Sequence, residues 1–432
     1  MRTLIIVWLG QIVSMIGSSM TAFSFTIWVW ELTHQATALA LFGFFAQVPQ
    51  ILMIPIAGVI VDRWNRKYLM IVGDTVSGLL TITVLLLYTT HNLQLWHLYL
   101  AVGVKGTFSQ FQTLAFSASV SIMVPKQQYS RASSISFLAT SSSTIIAPAL
   151  AGALYAVIGL VGILVIDITT FAIALLTVLL ISIPQPPMTK VGTRSSTSLK
   201  QDLYFGWRYV AARPSLLAML ILVLLFVFAD KIADLLLTPL ILARTGNDTK
   251  VLGAVYSAAG LGGIIGALLV GVWGSFKPRI HAKLLAMVGA GLSQTVFGLG
   301  IIPLIWIPAQ FCSSLNFPIM GSANDAIWLS KVKPELQGRV FAMRSMVMPI
   351  SSALASLIAG PLTDRVFVPA MKPDGTLAPM LGWIFGTGGG AGIALLYVIS
   401  SLSMLVIGLG GYAFRVLRDI EIILPDYDAS AE

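Results

Sequence analysis

Charged residues are scarce in this chain of 432 residues. Asp, Glu, Lys and Arg make up 10% of the sequence, against roughly 25% in a typical soluble protein, whereas 57% of the residues are hydrophobic. The mean hydropathy is +0.89. These charges are too few to cover the surfaces of two or three soluble domains. A soluble globular protein is therefore excluded, and a polytopic membrane protein is predicted.

Cysteine and the common catalytic motifs are also lacking. The single Cys312 cannot form an intramolecular disulfide, and its apolar surroundings predict a small core residue. The chain has no phosphate-binding loop, no H-E-x-x-H or G-x-S-x-G motif, and its four histidines lack metal-binding spacing. The expectations are therefore no metal, no cofactor, no ATP hydrolysis within this chain and no enzymatic activity. The net charge of +9 is spread singly over short loops, so no nucleic-acid partner is expected.

Long apolar runs are what the sequence has instead. A membrane-spanning helix needs about 20 apolar residues, and twelve runs reach that length. The first run is too long for a cleavable signal peptide and has no cleavage site, so it is interpreted as the first span. The predicted spans are 4–30, 37–61, 68–89, 95–123, 133–158, 160–183, 215–242, 251–274, 283–302, 304–329, 341–362 and 386–414.

One long polar stretch divides the twelve runs into two sets of six. Residues 183–202 are rich in Pro, Ser, Thr and Lys, which is the composition of a linker. The following residues up to Pro214 have the pattern of a short interfacial helix or of a cytoplasmic extension of span seven. The predicted domains are an N-terminal bundle (1–183), a cytoplasmic linker with a short helix (184–213) and a C-terminal bundle with a short tail (214–432).

The distribution of basic residues predicts the orientation. Of the 26 Lys and Arg residues, 20 fall in connections on the side of the N-terminus, four fall on the opposite side, and two lie within spans. Cytoplasmic loops carry the excess of Lys and Arg, so both termini and the linker are predicted to be cytoplasmic.

Two connections in the chain resemble each other. Pro125 and Gln128 before span five match Pro334 and Gln337 before span eleven, at the same separation. Together with the central linker, this repeated pattern predicts two related six-helix bundles, with a substrate site near the middle of the membrane.

The loop between spans two and three carries a short basic motif. A basic loop next to an acidic helix end can lock two helices at the cytoplasmic surface, and a glycine allows the backbones to approach. The motif resembles the G-x-x-x-D-R-x-G-R-K loop of the major facilitator superfamily. Asn65 stands at the second glycine of that pattern, where it is expected to supply the positive φ of the turn. The motif residues are Gly58, Asp62, Arg63, Arg66 and Lys67.

Three further stretches resemble the branch of that superfamily that contains bacterial macrolide-efflux pumps and siderophore exporters. They are PELQGRVFAMRS, APALAG and DLYFGWRYVAARPSL. The resemblance implies an all-α membrane protein with twelve helices in two six-helix bundles. It groups Gly338 and Arg339 with the conformational lock and places Pro148 and Gly152 at the span-five motif of drug exporters. Lys105 corresponds by position to the span-four arginine associated with proton coupling.

Charges inside the spans are the other functional signal, because each costs about 2.5–3.5 kcal/mol at mid-bilayer. Asp230 and Asp234 lie four residues apart on one face of span seven, with Lys231 in pairing reach of Asp234. Two carboxylates on one apolar face resist joint ionisation, so one of them is a candidate proton carrier. The alternative is a self-neutralising cluster near the outer helix end, with Lys231 reaching water.

Each of the other polar residues in or near the spans has both a functional and a structural interpretation. Lys105, some ten residues into span four, is a candidate coupling residue or part of a helix-locking ion pair. Glu31 is a candidate at the outer end of span one, where a solvated carboxylate is also ordinary. Asp74 is expected to pair with the basic loop. Asn324 and Asp325 either line an inner vestibule or solvate the end of span ten.

The sequence therefore predicts a secondary active transporter of the inner membrane. We expect a monomeric, proton-coupled exporter of amphipathic small molecules, with substrate, protons and the lipid bilayer as its partners. An importer or facilitator on the same fold is the alternative, since direction depends on coupling and not on fold. A non-transporting receptor or membrane enzyme is a further alternative that has no supporting motif.

Overall fold

The fold is built from α-helices. The computed structural model describes residues 2–123, 129–180, 199–273 and 278–426, and no strand occurs in these ranges. Within these ranges, side chains are described except at 2–8, 54–59, 61–63, 66, 113–114, 116–123, 129–142, 144, 180, 199–203, 273, 334–335 and 342. The described helices form two compact units.

The first unit comprises Met1–Val191 together with Thr245–Ser257. Helix α1 packs along α5, α2 packs on α4, and α3 contacts both α4 and α5. Its helices are α1 (Arg2–Thr33), α2 (Ala36–Arg63), α3 (Arg66–Thr89), α4 (Leu95–Met123) and α5 (Tyr129–Leu180), followed by the first part of α8 (Thr249–Trp273).

Helix α5 contains a sharp break at Gly159. The backbone there has φ 64° and ψ −170°, a combination that only glycine adopts readily. The break falls between predicted spans five (133–158) and six (160–183). The two apolar runs are therefore separated by a single glycine, without a polar loop.

The second unit comprises Gly192–Arg244 and Ala258–Glu432. Within it, α9 packs against α10 and α15, and α6 packs against α11. Its helices are α6 (Leu199–Ala211), α7 (Pro214–Thr245), the rest of α8, α9 (Arg279–Leu299), α10 (Pro303–Lys331), α11 (Pro334–Ser345), α12 (Val347–Leu362), a π-helical turn (Thr363–Phe367), α13 (Val368–Ala370), α14 (Ala378–Phe385), α15 (Ala391–Ala413), α16 (Arg415–Arg418) and α17 (Ile420–Ile423).

A continuous apolar core holds the second unit together. Phe226 of α7, Met287 of α9 and Trp328 of α10 are almost completely buried in it. Burying a side chain of this size stabilises a fold by about 1.5–3 kcal/mol. Leu417 and Ile420 also pack into this core, so the short helices α16 and α17 are part of the unit.

Nine helical segments among the described residues are long and apolar enough to cross a membrane. One of them, Ile145–Leu179, runs through the break at Gly159 and covers parts of two predicted spans. Helices α4 and α10, of 29 residues each, are not among the nine. The count of twelve spans stays a prediction.

Two local expectations from the sequence, on Asn65 and on Cys312, are wrong. Asn65 has φ −65° and not a positive φ; it precedes α3, where its side chain accepts a hydrogen bond from the Tyr68 backbone N–H. Asparagine serves here as an N-cap, because its side chain pairs a backbone N–H group of the first helical turn. Lys283, the first residue of predicted span nine (283–302), lies inside α9 and is completely buried. Cys312 is exposed on α10 and is not a core residue.

Candidate functional site

Helix α7 brings together the three charged residues predicted for span seven. Asp230 is buried, at 8% exposure, whereas the Asp234 side chain is about half exposed (53%). The Lys231 ammonium lies 3.1 Å from Asp234 and 3.9 Å from Asp230. The cation therefore interacts mainly with the exposed carboxylate, and the buried one has the weaker ionic partner.

Asp230 also contacts the neighbouring helix α9. The Gln294 amide donates to Oδ1 of Asp230 across 3.2 Å. The amide oxygen of Gln294 is buried without a hydrogen-bond partner among the described residues. A buried polar atom left unpaired is costly, so the Gln294 amide is satisfied on its nitrogen side only.

The second unit holds a buried lysine between α9 and α10. The Lys283 ammonium donates to Oδ1 of Asn324 across 3.0 Å, which places the predicted Asn324 against α9. The adjacent Asp325 forms an ion pair with Arg344 of α11. Asn324 and Asp325 thus have different partners: one satisfies a buried cation, and the other ties α10 to α11.

Asp74 lies at the centre of a polar cluster in the first unit. It is 4% exposed and accepts hydrogen bonds from Gln11 of α1 at 3.1 Å and from Gln112 of α4 at 2.6 Å. The Gln112 amide also donates to Oε1 of Gln11 across 3.1 Å. Sequence reasoning missed both glutamines, because an uncharged amide in an apolar run stands out less than a charge.

A second buried carboxyl group, Asp167, was also missed. It lies in the second half of α5 at 2% exposure. The Ser18 hydroxyl of α1 lies 3.1 Å from its Oδ1, and the Thr81 hydroxyl of α3 lies 3.1 Å from its Oδ2. The signal was present in the sequence, since Asp167 is the one acidic residue in the apolar run 160–180.

The remaining charged candidates of the first unit have simpler surroundings. Lys105 is half-buried on α4, about 15 Å from the start of the helix, and has no hydrogen-bond or ion-pair partner among the described residues. An unpaired cation at that depth is expected to face water and not lipid. Glu31 is exposed and accepts a hydrogen bond from the Tyr155 hydroxyl across 2.7 Å.

Most of the basic-loop motif lies outside the described side chains. Gly58, Asp62 and Arg63 belong to α2 and Arg66 to α3, but their side chains are not among those described. Lys67 is described, and its ammonium donates to the Leu179 carbonyl of α5 across 3.0 Å. The pairing of Asp74 with this loop therefore stays a prediction.

The span-five motif packs against the start of α8 inside the first unit. The Thr249 hydroxyl donates to the Gly152 carbonyl across 2.8 Å. A Cβ placed on Gly253 would lie 2.6 Å from the Pro148 carbonyl oxygen, and one on Gly152 would collide with the Thr249 carbonyl oxygen. Pro148 and Gly152 thus lie where two helix backbones approach closely, as small residues allow in membranes.

Helices α6 and α11 form the other close contact. A Cβ on Gly206 would lie 2.7 Å from the Arg339 carbonyl oxygen, whereas one on Gly338 would have nothing within 4 Å. The Arg339 guanidinium lies 5.1 Å from the centre of the Phe205 ring, within cation–π range. Of the two residues that the resemblance groups with the lock, Arg339 therefore contacts the short helix after the linker.

The C-terminal segment is attached to the same end of the unit. The buried Lys331 ammonium lies 2.8 Å from the Asp426 carboxylate and also donates to the Leu424 carbonyl. The hydrogen bond from Lys331 lowers the pKa of Asp426 from its ordinary value of 3.8. A hydrogen bond from Arg418 likewise lowers the pKa of Asp419. The last described residues are thus held by ionic contacts outside the spans.

Comparison with known proteins agrees with this architecture. The sequence profile of the Major Facilitator Superfamily matches residues 7–356. The chain belongs to the Major Facilitator Superfamily. It is 27% identical over 372 residues to macrolide efflux protein A of Streptococcus pyogenes, covering 84% of this chain and 89% of that protein. It is 25% identical to the enterobactin exporter EntS of Escherichia coli O1:K1, covering 77% and 75%.

A solved structure supports the Major Facilitator fold. A bacterial homologue of the iron transporter ferroportin superposes with a TM-score of 0.67 over 95% of this chain and 98% of that chain, at 13% identity. The all-α membrane fold expected from the sequence is confirmed, and this Major Facilitator protein is a transporter and not an enzyme.

Proposed function

We propose that this Major Facilitator protein is a proton-coupled exporter of amphipathic small molecules. The relatives named for macrolide efflux and enterobactin export support efflux and the substrate class. We place both termini in the cytoplasm of the inner membrane, with twelve spans in bundles 1–183 and 214–432, a linker at 184–213 and a monomeric working state. Rocking of the two bundles around a central cavity is the transport mechanism that this architecture favours.

The arrangement around Asp230 carries the coupling proposal. A carboxylate buried in an apolar helix is destabilised unless a cation or several donors compensate it. Asp230 has one amide donor at 3.2 Å and an ammonium 3.9 Å away that lies closer to Asp234. A small movement of Lys231 between the two carboxylates changes which of them is compensated. This makes Asp230 the group in the second unit best suited to take up and release a proton.

Lys105 is proposed as the counterpart in the first unit. It is an unpaired cation among the described residues, deep in α4, and lysine can lose its proton whereas arginine effectively cannot. Lys105→Arg should therefore keep electrostatic attraction while blocking any step that needs a neutral amine.

Transport into inverted vesicles tests the proposal. The wild type should accumulate a substrate from a panel of macrolides and catecholate siderophores when a pH gradient is imposed. Asp230→Asn keeps the size of the side chain and removes its titration, so gradient-driven uptake should fall to background while gradient-independent exchange persists. Asp234→Asn should reduce uptake as well, by releasing Lys231.

Asp248→Asn is the matched control. The Asp248 carboxylate accepts hydrogen bonds from the backbone N–H groups of Lys250 and Val251 at the start of α8, a role that asparagine also fills. This variant should transport like the wild type. Full gradient-driven export by Asp230→Asn at equal membrane abundance would refute the coupling role of Asp230.

A further inference from the structure

Helix α6 has two faces of different composition. On one face, Gly206 lies against the Arg339 carbonyl oxygen of α11, and Val210 is buried in the core of the second unit. The opposite face is exposed and carries two aromatic rings and one guanidinium group. Its members recur at intervals of three and four residues and form the α6 stripe: Tyr204 (66% exposed), Trp207 (51%), Arg208 and Ala211.

The α6 stripe has the composition of a membrane–water interface. A single exposed apolar side chain is ordinary, but Tyr204 and Trp207 lie one turn apart and expose two rings with apolar bodies and polar tips. Trp and Tyr are enriched where lipid headgroups meet the acyl chains, and arginine extends its guanidinium from that layer towards water. This pattern favours a helix that lies flat in the interface.

The position of α6 along the chain brings it to the membrane. Only two residues separate Ala211 from Pro214, so their Cα atoms are at most about 11 Å apart. Helix α7 has 32 residues and is apolar enough to span, and its length is about 48 Å. A bilayer with its headgroups is about 40–45 Å thick, so Pro214 lies at a headgroup layer. The α6 stripe therefore ends within about 11 Å of that layer.

The described side chains of α6 and the two residues after it carry only positive charge. The Arg208 guanidinium forms no ion pair with a described carboxylate. The Arg213 guanidinium lies 3.6 Å from the centre of the Tyr209 ring and donates to the Tyr209 carbonyl across 3.0 Å. Each guanidinium has five N–H donors, so both keep donors for a phosphate group. An anionic headgroup is the complement of this face in charge and in hydrogen bonding.

We propose that the α6 stripe lies in the headgroup layer of the bilayer and binds an anionic phospholipid. The rings of Tyr204 and Trp207 insert at the boundary between headgroups and acyl chains, and the Arg208 guanidinium donates to the lipid phosphate. Arg213, at the junction with α7, supplies a second cation. The lipid holds one face of α6 while α11 holds the other. This binding is independent of the proposed function, because it concerns how the helix is attached and not what is transported.

Spin labelling of the full chain in liposomes tests the position of the stripe. Cys312→Ser removes the only cysteine, and Ala211→Cys then places one label on the stripe while its rings and its arginine stay in place. This label should collide more often with oxygen, which enters the interface, than with a water-soluble nickel complex. A label at Lys372→Cys, in an exposed turn, is the matched control and should show the opposite preference. Equal access of the nickel complex to both labels would overturn the proposal.

The dependence on lipid charge tests the headgroup. Hydrogen–deuterium exchange of α6 should be about fivefold slower in liposomes that contain phosphatidylglycerol than in phosphatidylcholine alone, which is the effect of one arginine at an anionic surface. Arg208→Gln should abolish this difference, whereas Arg365→Gln, at another exposed position, should keep it. Wild-type exchange that does not change with phosphatidylglycerol would overturn the proposal. An equal slowing by inorganic phosphate in phosphatidylcholine alone would overturn it as well.

Discussion

The contact between α6 and α11 allows a prediction with an internal control. Gly206→Ala places a Cβ 2.7 Å from the Arg339 carbonyl oxygen and 3.1 Å from the Met343 Cβ, both closer than the ordinary contact distance of about 3.5 Å. Gly338→Ala, on the other helix, meets nothing within 4 Å. The two substitutions are chemically identical, and they differ in what the new methyl group meets.

The expected difference follows from this geometry. Both variants gain helix propensity, about 0.5–1 kcal/mol for Gly to Ala, and this gain cancels in the comparison. Overpacking against a backbone carbonyl costs about 1–3 kcal/mol. Gly206→Ala should therefore hold α6 on α11 about 1–3 kcal/mol less firmly than Gly338→Ala does, which is about a 5- to 150-fold difference in the opening equilibrium.

Hydrogen–deuterium exchange of the α6 peptide measures this opening directly, because local detachment exposes backbone amides without global unfolding. The exchange of α6 should be faster by that factor in Gly206→Ala, and the exchange of α15 should be the same in both variants. Equal or slower exchange of α6 in Gly206→Ala would refute the docking of this helix through Gly206.

Three further results are expected. Reporter fusions at Lys190 and Lys333 should report the cytoplasm, and a fusion at Lys372 should report the outside. The reason is that 20 of the 24 Lys and Arg residues in connections lie on the side of the N-terminus. A cytoplasmic signal at Lys372 would contradict the span count. Arg244→Met removes the donors to the carbonyls of Gly298, Gly300 and Phe385, so the free energy of unfolding should fall by about 1.5–3 kcal/mol. In a thermal-shift assay the melting temperature should fall by about 3–12 °C. Arg365→Met, at an exposed position, should leave the melting temperature unchanged. The ion pair between Lys331 and Asp426 should hold the C-terminal segment fully above pH 3.8 and release it as the pH falls through the lowered pKa of Asp426. In Asp426→Asn, hydrogen–deuterium exchange over residues 415–426 should already be rapid at neutral pH and should not show this pH dependence. Similar exchange in the wild type and the variant would argue against the ion pair.

Glycine and proline at helix boundaries made much of the fold predictable. Gly159 separates two apolar runs and Pro214 begins α7, so the boundaries at these positions could be placed from sequence alone. The charged group in span seven was also predictable, because residues three and four apart share a helix face. The pairing of Lys231 with Asp234 follows from that spacing within a single helix.

Contacts between helices were not predictable in the same way. Whether Asp167 meets Ser18, or Lys283 meets Asn324, depends on how each helix is rotated about its axis, which a single sequence does not specify. Asn65 shows the limit of analogy at a turn, since asparagine both caps helices and tolerates positive φ. The sequence pattern alone does not decide between these two roles.

The attachment of α6 to α11 also determines where the chain tolerates added domains. Eighteen residues join Leu180 of α5 to Leu199 of α6, whereas only two join Ala211 of α6 to Pro214 of α7. The entropic cost of a longer connection grows slowly, about 0.6 kcal/mol for each doubling. A fluorescent protein inserted near residue 190 would lengthen a connection that is already long and should leave the packing of α6 on α11 intact. The same insertion at residue 212 would separate α6 from α7 within a two-residue connection and should weaken that packing.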